Sequence, residues 1–217
     1  MDKHKADSII ALLEEEYGGT KCGLDFSTPY ELLTATILSA QCTDVRVNIV
    51  TKQLFPIADT PQEMLAFGQQ KLQDIIRPCG LSKTKSANII KTAQMLLDHF
   101  NGEVPDDFDA LTSLAGVGRK TANVVLSNAF GEDAIAVDTH VFRVSNRIGL
   151  AHANDVVKTE AMLRAIIDKD KWSNAHHWLI WHGRLVCSAR KPKCSACVLR
   201  ELCEYPNKTT DLPEIKS

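Results

Sequence analysis

No stretch of this sequence approaches the ~20 consecutive apolar residues that span a bilayer, and the opening MDKHKADSII lacks the apolar block and small-residue cleavage site of a secretory signal. Membrane and secreted classes are therefore set aside, and the expectation is a cytoplasmic protein. Alternation of apolar and polar residues at the strand period is nearly absent, which excludes sheet architectures. A disulfide framework is missing as well. The seven cysteines are odd in number; Cys22, Cys42 and Cys79 lie far apart, and four crowd between Cys187 and Cys203. Nor is there an excess of positive charge: the formal net charge of −2 counts mildly against a polyanionic partner when the chain is read as a whole. There is no repeat or low-complexity tract.

What is present is helical. With 217 residues, 44% apolar and 24% charged, the chain can bury one or two cores. Thr28-Pro-Tyr-Glu31 and Thr60-Pro-Gln-Glu63 each combine a capping threonine, proline at the first helical position and glutamate at the third, so both open helices. Helical spacing of apolar residues runs through 9–13, 32–38, 45–54, 87–97, 141–148, 156–167 and 175–185. The expectation is an all-α protein of about ten short helices. After Cys203 the polar, proline-punctuated EYPNKTTDLPEIKS reads as a loosely held tail.

Charge is patterned locally even though the total is not. Lys71, Arg77, Lys83, Lys85 and Lys91 face Asp74 alone, and Arg184, Arg190, Lys191, Lys193 and Arg200 face Glu201. One such cluster is usually a solvated face; two that bracket Gly116 to Lys120 point to phosphate.

Between them, Leu111, Leu114, Gly116, Val117, Gly118 and Ala122 follow the spacing h-x-x-h-x-G-h-G-x-x-x-A, in which a helix ends, turns on two glycines and a second helix begins. The glycines permit positive φ and clear the way for close approach. Amides of the turn and of the next helix's first turn then form a phosphate site, which positions nucleic acid without reading sequence. Arg119 points away from Lys120 on such a helix and reads as a phosphate contact. Lys120 has two readings. It can be a second phosphate contact, or, because a helix N-terminus, partial burial and nearby cations all disfavour the ammonium, a nucleophilic amine. Asp138 heads another helix. It can be an ordinary N-cap, or a carboxylate that orients the amine and stabilises an oxocarbenium-like charge.

The array Cys187-x6-Cys194-x2-Cys197-x5-Cys203 calls for a metal centre. Four thiolates suit a four-iron cluster or a structural zinc, and the single Cys-x2-Cys pair leans away from zinc ribbons, which have two. Arg190, Lys191 and Lys193 in the intervening loop would then be held rigidly as a second phosphate grip. His140, His176, His177 and His182 do not read as a further metal site, since His177 and His182 miss i, i+4 spacing and Trp172, Trp178 and Trp181 suggest a packed face. Cys22, Cys42 and Cys79 read as small buried residues.

Over about residues 5 to 204, through ILSAQCTD, GLSKTKSANI, LAGVGRKTANVVL, AVDTHVFRVSNR and the cysteine array, the chain resembles the endonuclease III family of DNA glycosylases with lyase activity. The resemblance implies a helix-hairpin-helix glycosylase fold with a six-helix domain over 22–130, a second helical domain from 1–21 and 131–217, and duplex DNA in the cleft. It implies a [4Fe-4S] cluster on the four cysteines, Lys120 as nucleophile and Asp138 as its partner. Gln41 would fill the gap left by an extruded base and Leu81 would wedge the opposite strand; without the resemblance, Gln41 reads as a helix-end polar residue and Leu81 as core. Two departures stand out. Ala115 stands where the family commonly has proline, and Cys42 where a small or polar residue is common. The implied activity is removal of oxidised or saturated pyrimidines from duplex DNA by a cytoplasmic, nucleoid-associated monomer, followed by cleavage 3′ to the abasic site. Alternatives are a non-catalytic helix-hairpin-helix DNA-binding protein with a structural four-cysteine site, and the adenine glycosylase branch, which lacks the lysine at this position and usually carries a further C-terminal domain.

Overall fold

The computed structural model describes residues 2–210. Among these, chain order is α1 (Lys3–Tyr17), α2 (Pro29–Leu38), α3 (Asp44–Leu54), α4 (Pro61–Phe67), α5 (Gln69–Ile75), α6 (Ser82–His99), α7 (Phe108–Ser113), α8 (Arg119–Ala129), α9 (Thr139–Ile148), α10 (Val156–Ile166) and α11 (Trp172–Leu185). Short 3-10 turns occupy Arg77–Cys79, Lys169–Lys171 and Cys194–Ala196. There is no strand among the described residues, and none of these helices is long and apolar enough to cross a membrane.

The chain divides into two compact units, Cys22–Glu132 and the residues up to Lys21 together with those from Asp133 onward. Both capping boxes form in the first. Thr28 Oγ1 accepts the Glu31 amide at 3.1 Å while the Glu31 carboxylate reaches back to the Ser27 amide. Thr60 Oγ1 accepts from the Glu63 amide at 3.2 Å, and Glu63 accepts from the Asp59 amide at 3.3 Å. These reciprocal bonds satisfy amides that a helix start otherwise leaves orphaned. The unit holds seven α-helices where the resemblance implies six. Gly68, at φ +86, separates α4 from α5 by a backbone turn that an L side chain rarely adopts.

At the centre of this unit α2 is buried from Tyr30 through Leu38, as a helix apolar on all sides must be. It packs against α3, α6 and α8. Leu32, Leu33 and Leu38 are fully enclosed, each contributing about 1.5–3 kcal/mol before the entropy of ordering is subtracted.

The other unit packs α11 against α1 and α9, with α10 on α9. Ile9, Leu13, Val141, Val144, Leu163, Trp178 and Leu179 form its core. The indole of Trp172 donates to the Ile167 carbonyl at 2.9 Å, which keeps its one polar atom satisfied inside that core.

Candidate nucleic-acid interface and metal centre

The hairpin lies between Leu114, the C-cap of α7, and Gly118, the N-cap of α8. Gly116 sits at φ +76, and a Cβ placed there would fall 2.7 to 3.0 Å from side-chain atoms of Asn88. Glycine is demanded twice over, by conformation and by the approach of α6. One turn along α6, Thr92 Oγ1 donates to the Ala115 carbonyl at 2.8 Å and pins the entry to the turn. Gly118 behaves differently from the sequence expectation that both glycines exploit positive φ. Its backbone is extended at φ −98, ψ 178, and an added Cβ would meet no atom within 4 Å. Here the missing side chain leaves open space in front of α8, which also has no side-chain cap. Uncapped helix amides facing open space suit an anionic oxygen from outside the chain.

Lys120 is exposed in the first turn of α8, so the partial burial expected of it is not met by the protein alone. Arg119 is exposed too, with its guanidinium over the Phe108 ring, 4.8 Å from the centroid. That stacking holds the cation on the α7 side of the hairpin. Asp138, in the other unit, is the N-cap of α9: Oδ1 accepts from the amides of His140 and Val141, both at 2.8 Å. One oxygen thus carries the whole cap.

Gln41 and Leu81 share a property that residue patterns did not show. Both have positive φ, +56 and +48, and Asn101 is the one other non-glycine residue to do so among those described. Asparagine tolerates this region; glutamine and leucine adopt it at a cost of about 1–3 kcal/mol. Both side chains are exposed, Leu81 by 57%, so Leu81 is not a core residue. Gln41 lies in the turn between α2 and α3, and Leu81 is the N-cap of α6. The basic run from Lys71 to Lys91 needs a correction as well, because Lys85 is buried and not part of a solvated face. Cys79 is buried, whereas Cys22 and Cys42 are only half-buried.

The four clustered cysteines line one pocket. Arg147, Lys193, Arg200 and Lys208 also line it, and no carboxylate among the described residues does. No three His, Cys, Asp or Glu side chains among the described residues converge tightly enough for a single ion. Zinc needs four sulfurs about 2.3 Å from one point; four thiols spread around a cation-rimmed space fit a larger, net-negative iron–sulfur centre. Burial pushes the Cys197 thiol up to about 11, a cost that iron bound to the thiolate would offset.

Several side chains far off in sequence hold this cavity. Arg147 donates to the Ser188 and Ala189 carbonyls at 2.7 and 2.9 Å and to Cys187 Sγ at 3.5 Å, with its guanidinium 4.5 Å from the Tyr205 ring centroid. His182 is buried, and desolvation depresses its pKa to about 4, so the ring is neutral at physiological pH. Its Nε2 lies 3.6 Å from Cys197 Sγ and its Nδ1 3.1 Å from the Tyr17 hydroxyl. With one proton on the ring, Tyr17 donating to Nδ1 leaves Nε2–H for the sulfur. Thr209 Oγ1 accepts from the Cys194 amide at 3.2 Å and donates to the Pro192 carbonyl at 2.7 Å. The segment after Cys203 is therefore fastened at least to Thr209, contrary to the loose tail expected; residues 211–217 lie outside the described part. Arg190, Lys191 and Lys193 are exposed on the loop so held. His176 is engaged elsewhere, with Nδ1 2.7 Å from the Ala136 carbonyl.

Residues 34–169 match the model of the HhH-GPD superfamily of base excision DNA repair proteins, and residues 187–203 match the iron-sulfur binding domain of endonuclease III. Endonuclease III of Haemophilus influenzae is 50% identical over 208 residues, 96% of this chain and 99% of that protein. The Escherichia coli K12 protein is 49% identical over the same shares. The chain belongs to the endonuclease III family. Two solved structures agree with it at TM-score 0.90 and 46% identity over 94% of this chain: a trapped endonuclease III–DNA covalent intermediate, covered over 96%, and a non-covalent endonuclease III–DNA complex, covered over 95%.

As a member of the endonuclease III family the protein is a base excision repair DNA glycosylase with abasic-site lyase activity, and it carries a [4Fe-4S] cluster. DNA is its partner. For this family member, residue patterns located the hairpin and the cysteine array and singled out Lys120 and Asp138 as candidates. They missed Thr92, Lys85, Arg147, His182, Tyr17 and Thr209, whose bonds reach across long sequence separations, and Asn88, which lies against Gly116.

Proposed function

We propose that this protein excises oxidised or saturated pyrimidines from duplex DNA and then cleaves the strand 3′ to the abasic site by β-elimination, with Lys120 as nucleophile and Asp138 as its partner. The observation that carries the reading is the placement of Lys120, an exposed amine in the first turn of an uncapped helix that follows a glycine hairpin. The likeness to a trapped endonuclease III–DNA covalent intermediate supports it, since that protein forms a bond to DNA.

A base inside a duplex is out of reach, so the damaged nucleotide is everted at an unstacking cost of roughly a few kcal/mol, least for bases that stack poorly. Gln41 fills the vacated space and Leu81 wedges the opposite strand. Their positive-φ backbones, held ready in the free protein, support that role. Gly116, Gly118, Arg119, Arg190, Lys191 and Lys193 grip phosphates on either side.

Bound duplex would exclude water from Lys120. Its neutral amine attacks C1′, and the base departs with the bonding electron pair and the proton that Asp138 takes from the amine. The sugar ring opens to an imine between Nζ and C1′, and loss of a C2′ proton expels the 3′ phosphate. Asp138 accepts the proton from the attacking amine and stabilises positive charge at C1′, using the oxygen that does not cap α9. The four cysteines hold the cluster, which keeps the Arg190–Lys193 loop rigid; the protein acts as a monomer in the cytoplasm, at the nucleoid.

Borohydride reduction during turnover on duplexes that each carry one defined lesion tests this directly. A covalent adduct that requires Lys120, with saturated pyrimidines as the fastest substrates, is the expected outcome. An adduct formed at full yield by Lys120→Gln would remove the nucleophile assignment, and base release without any adduct would remove the lyase step.

A further inference from the structure

The amine of Lys85 has an unusual pair of acceptors. Nζ donates to the carbonyls of Leu38 and Cys79, both at 2.8 Å, and the residue is only 3% exposed. Leu38 is the last residue of α2, three before Gln41; Cys79 closes a 3-10 turn two residues before Leu81. Among the described residues no carboxylate pairs with this amine, and the thiols of Cys42 and Cys79 lie close enough to act on it. A lysine taken out of water without a counter-ion is costly to keep, and a Met of similar volume would fill the same space. Packing alone therefore does not account for it.

The neighbours along α6 give the position its meaning. Residues 81, 85, 88 and 92 fall on one face of that helix by their spacing. Leu81 stands at its head, Lys85 ties the two turn ends, Asn88 lies against Gly116 and Thr92 holds the Ala115 carbonyl. One helix face thus anchors the Leu81 turn, the Gln41 turn and the hairpin.

We infer that Lys85 is a positioning residue for base extrusion: by donating to both carbonyls it sets the Gln41 and Leu81 turns at one spacing, so that the two side chains enter the duplex together. This rests on the reading above that those side chains enter the duplex. Without the strut each turn keeps its own fold but loses its register with the other.

The full-length protein with its cluster, mixed with a duplex that holds one saturated pyrimidine beside 2-aminopurine, provides the test. The rise in 2-aminopurine fluorescence reports extrusion, and single-turnover excision reports its consequence. Lys85→Met is expected to lower both by roughly 10- to 100-fold, the scale of a small misplacement of reacting groups. Adduct formation with a preformed abasic aldehyde in a single strand needs no extrusion and should stay within about 2-fold. In a Gln41→Ala, Leu81→Ala background the same substitution should cost less than about 2-fold, since the partners it acts through are gone. An equal loss in both backgrounds overturns the inference, as does undiminished extrusion by Lys85→Met. If Gln41→Ala with Leu81→Ala leaves extrusion intact, the reading of the two turns fails first and the role of Lys85 falls with it, a pattern distinct from the other two. Should Lys85→Met melt too low to handle, Lys85→Gln, which keeps a donor on a shorter stem, takes its place in the same cycle; partial recovery of extrusion is expected, and full activity overturns the strut.

Discussion

The hairpin and the cysteine loop are ordered by opposite means. At the hairpin, backbone geometry makes the site: Gly116 at φ +76 lies against Asn88, and Gly118 opens space before an uncapped helix. At the cysteine loop the backbone is irregular, and order comes from what is gathered across it: four thiols around one pocket, Arg147 on two carbonyls, Thr209 on Pro192 and Cys194. A site made of φ angles exists as soon as the chain folds. A site made of ligands waits for its metal.

The sharpest way to break this comparison is to remove chemistry from the hairpin while leaving its shape. Lys120→Gln should reduce the borohydride-trapped adduct by at least about 10³-fold, while duplex affinity, which the backbone supplies, stays within roughly ten-fold by anisotropy. A parallel loss of binding would mean that Lys120 is chiefly a phosphate contact.

Next in size is the loop. Cys197→Ser should cost the yellow-brown colour and the iron, and weaken duplex binding roughly 10- to 100-fold, measured by iron analysis beside anisotropy. Iron gone with affinity unchanged would show that the cage does not hold Arg190, Lys191 and Lys193 in place.

The two glycines give a finer contrast. Gly116→Ala should lose about 1–3 kcal/mol of stability in urea, because it combines positive φ with a close neighbour. Gly118→Ala should leave stability within about 0.5 kcal/mol and instead weaken duplex binding by about 1 kcal/mol, the worth of an obstructed hydrogen bond. Equal stability losses would erase the distinction drawn between them.

Smallest is Lys191→Ala, which should weaken binding alike on all sequences and flatten the dependence of log affinity on log salt by about one unit. A change confined to one sequence would mean that the residue reads bases.

What could be read in advance follows the same divide. Capping boxes at Thr28 and Thr60, the Gly116 turn and the cysteine spacing are local patterns, and local patterns are visible in a sequence. Lys85 was hidden because a lysine among lysines looks solvated; nothing nearby announces that the Leu38 carbonyl, 47 positions away, will accept a hydrogen bond from it. Tyr17 and His182, 165 positions apart, meet beside Cys197 only after α1 packs on α11. Gly68 divides α4 from α5 by a positive φ of +86, and a glycine in a sequence does not announce which backbone conformation it will take. Lys120 departs from the expectation of partial burial, which came from the need of a reactive amine for a dry setting, and is exposed in the free protein.

The two ends of α9 are in different service. Asp138 caps its head, and Arg147, nine positions on, clasps the cysteine loop near its foot. At about 1.5 Å rise per residue these ends are about 13 Å apart on one stiff rod. If Asp138 acts as proposed, one unbroken helix joins its carboxylate to the loop that Arg147 holds, and a shift of that loop has a short, rigid path to the place where the bond would break.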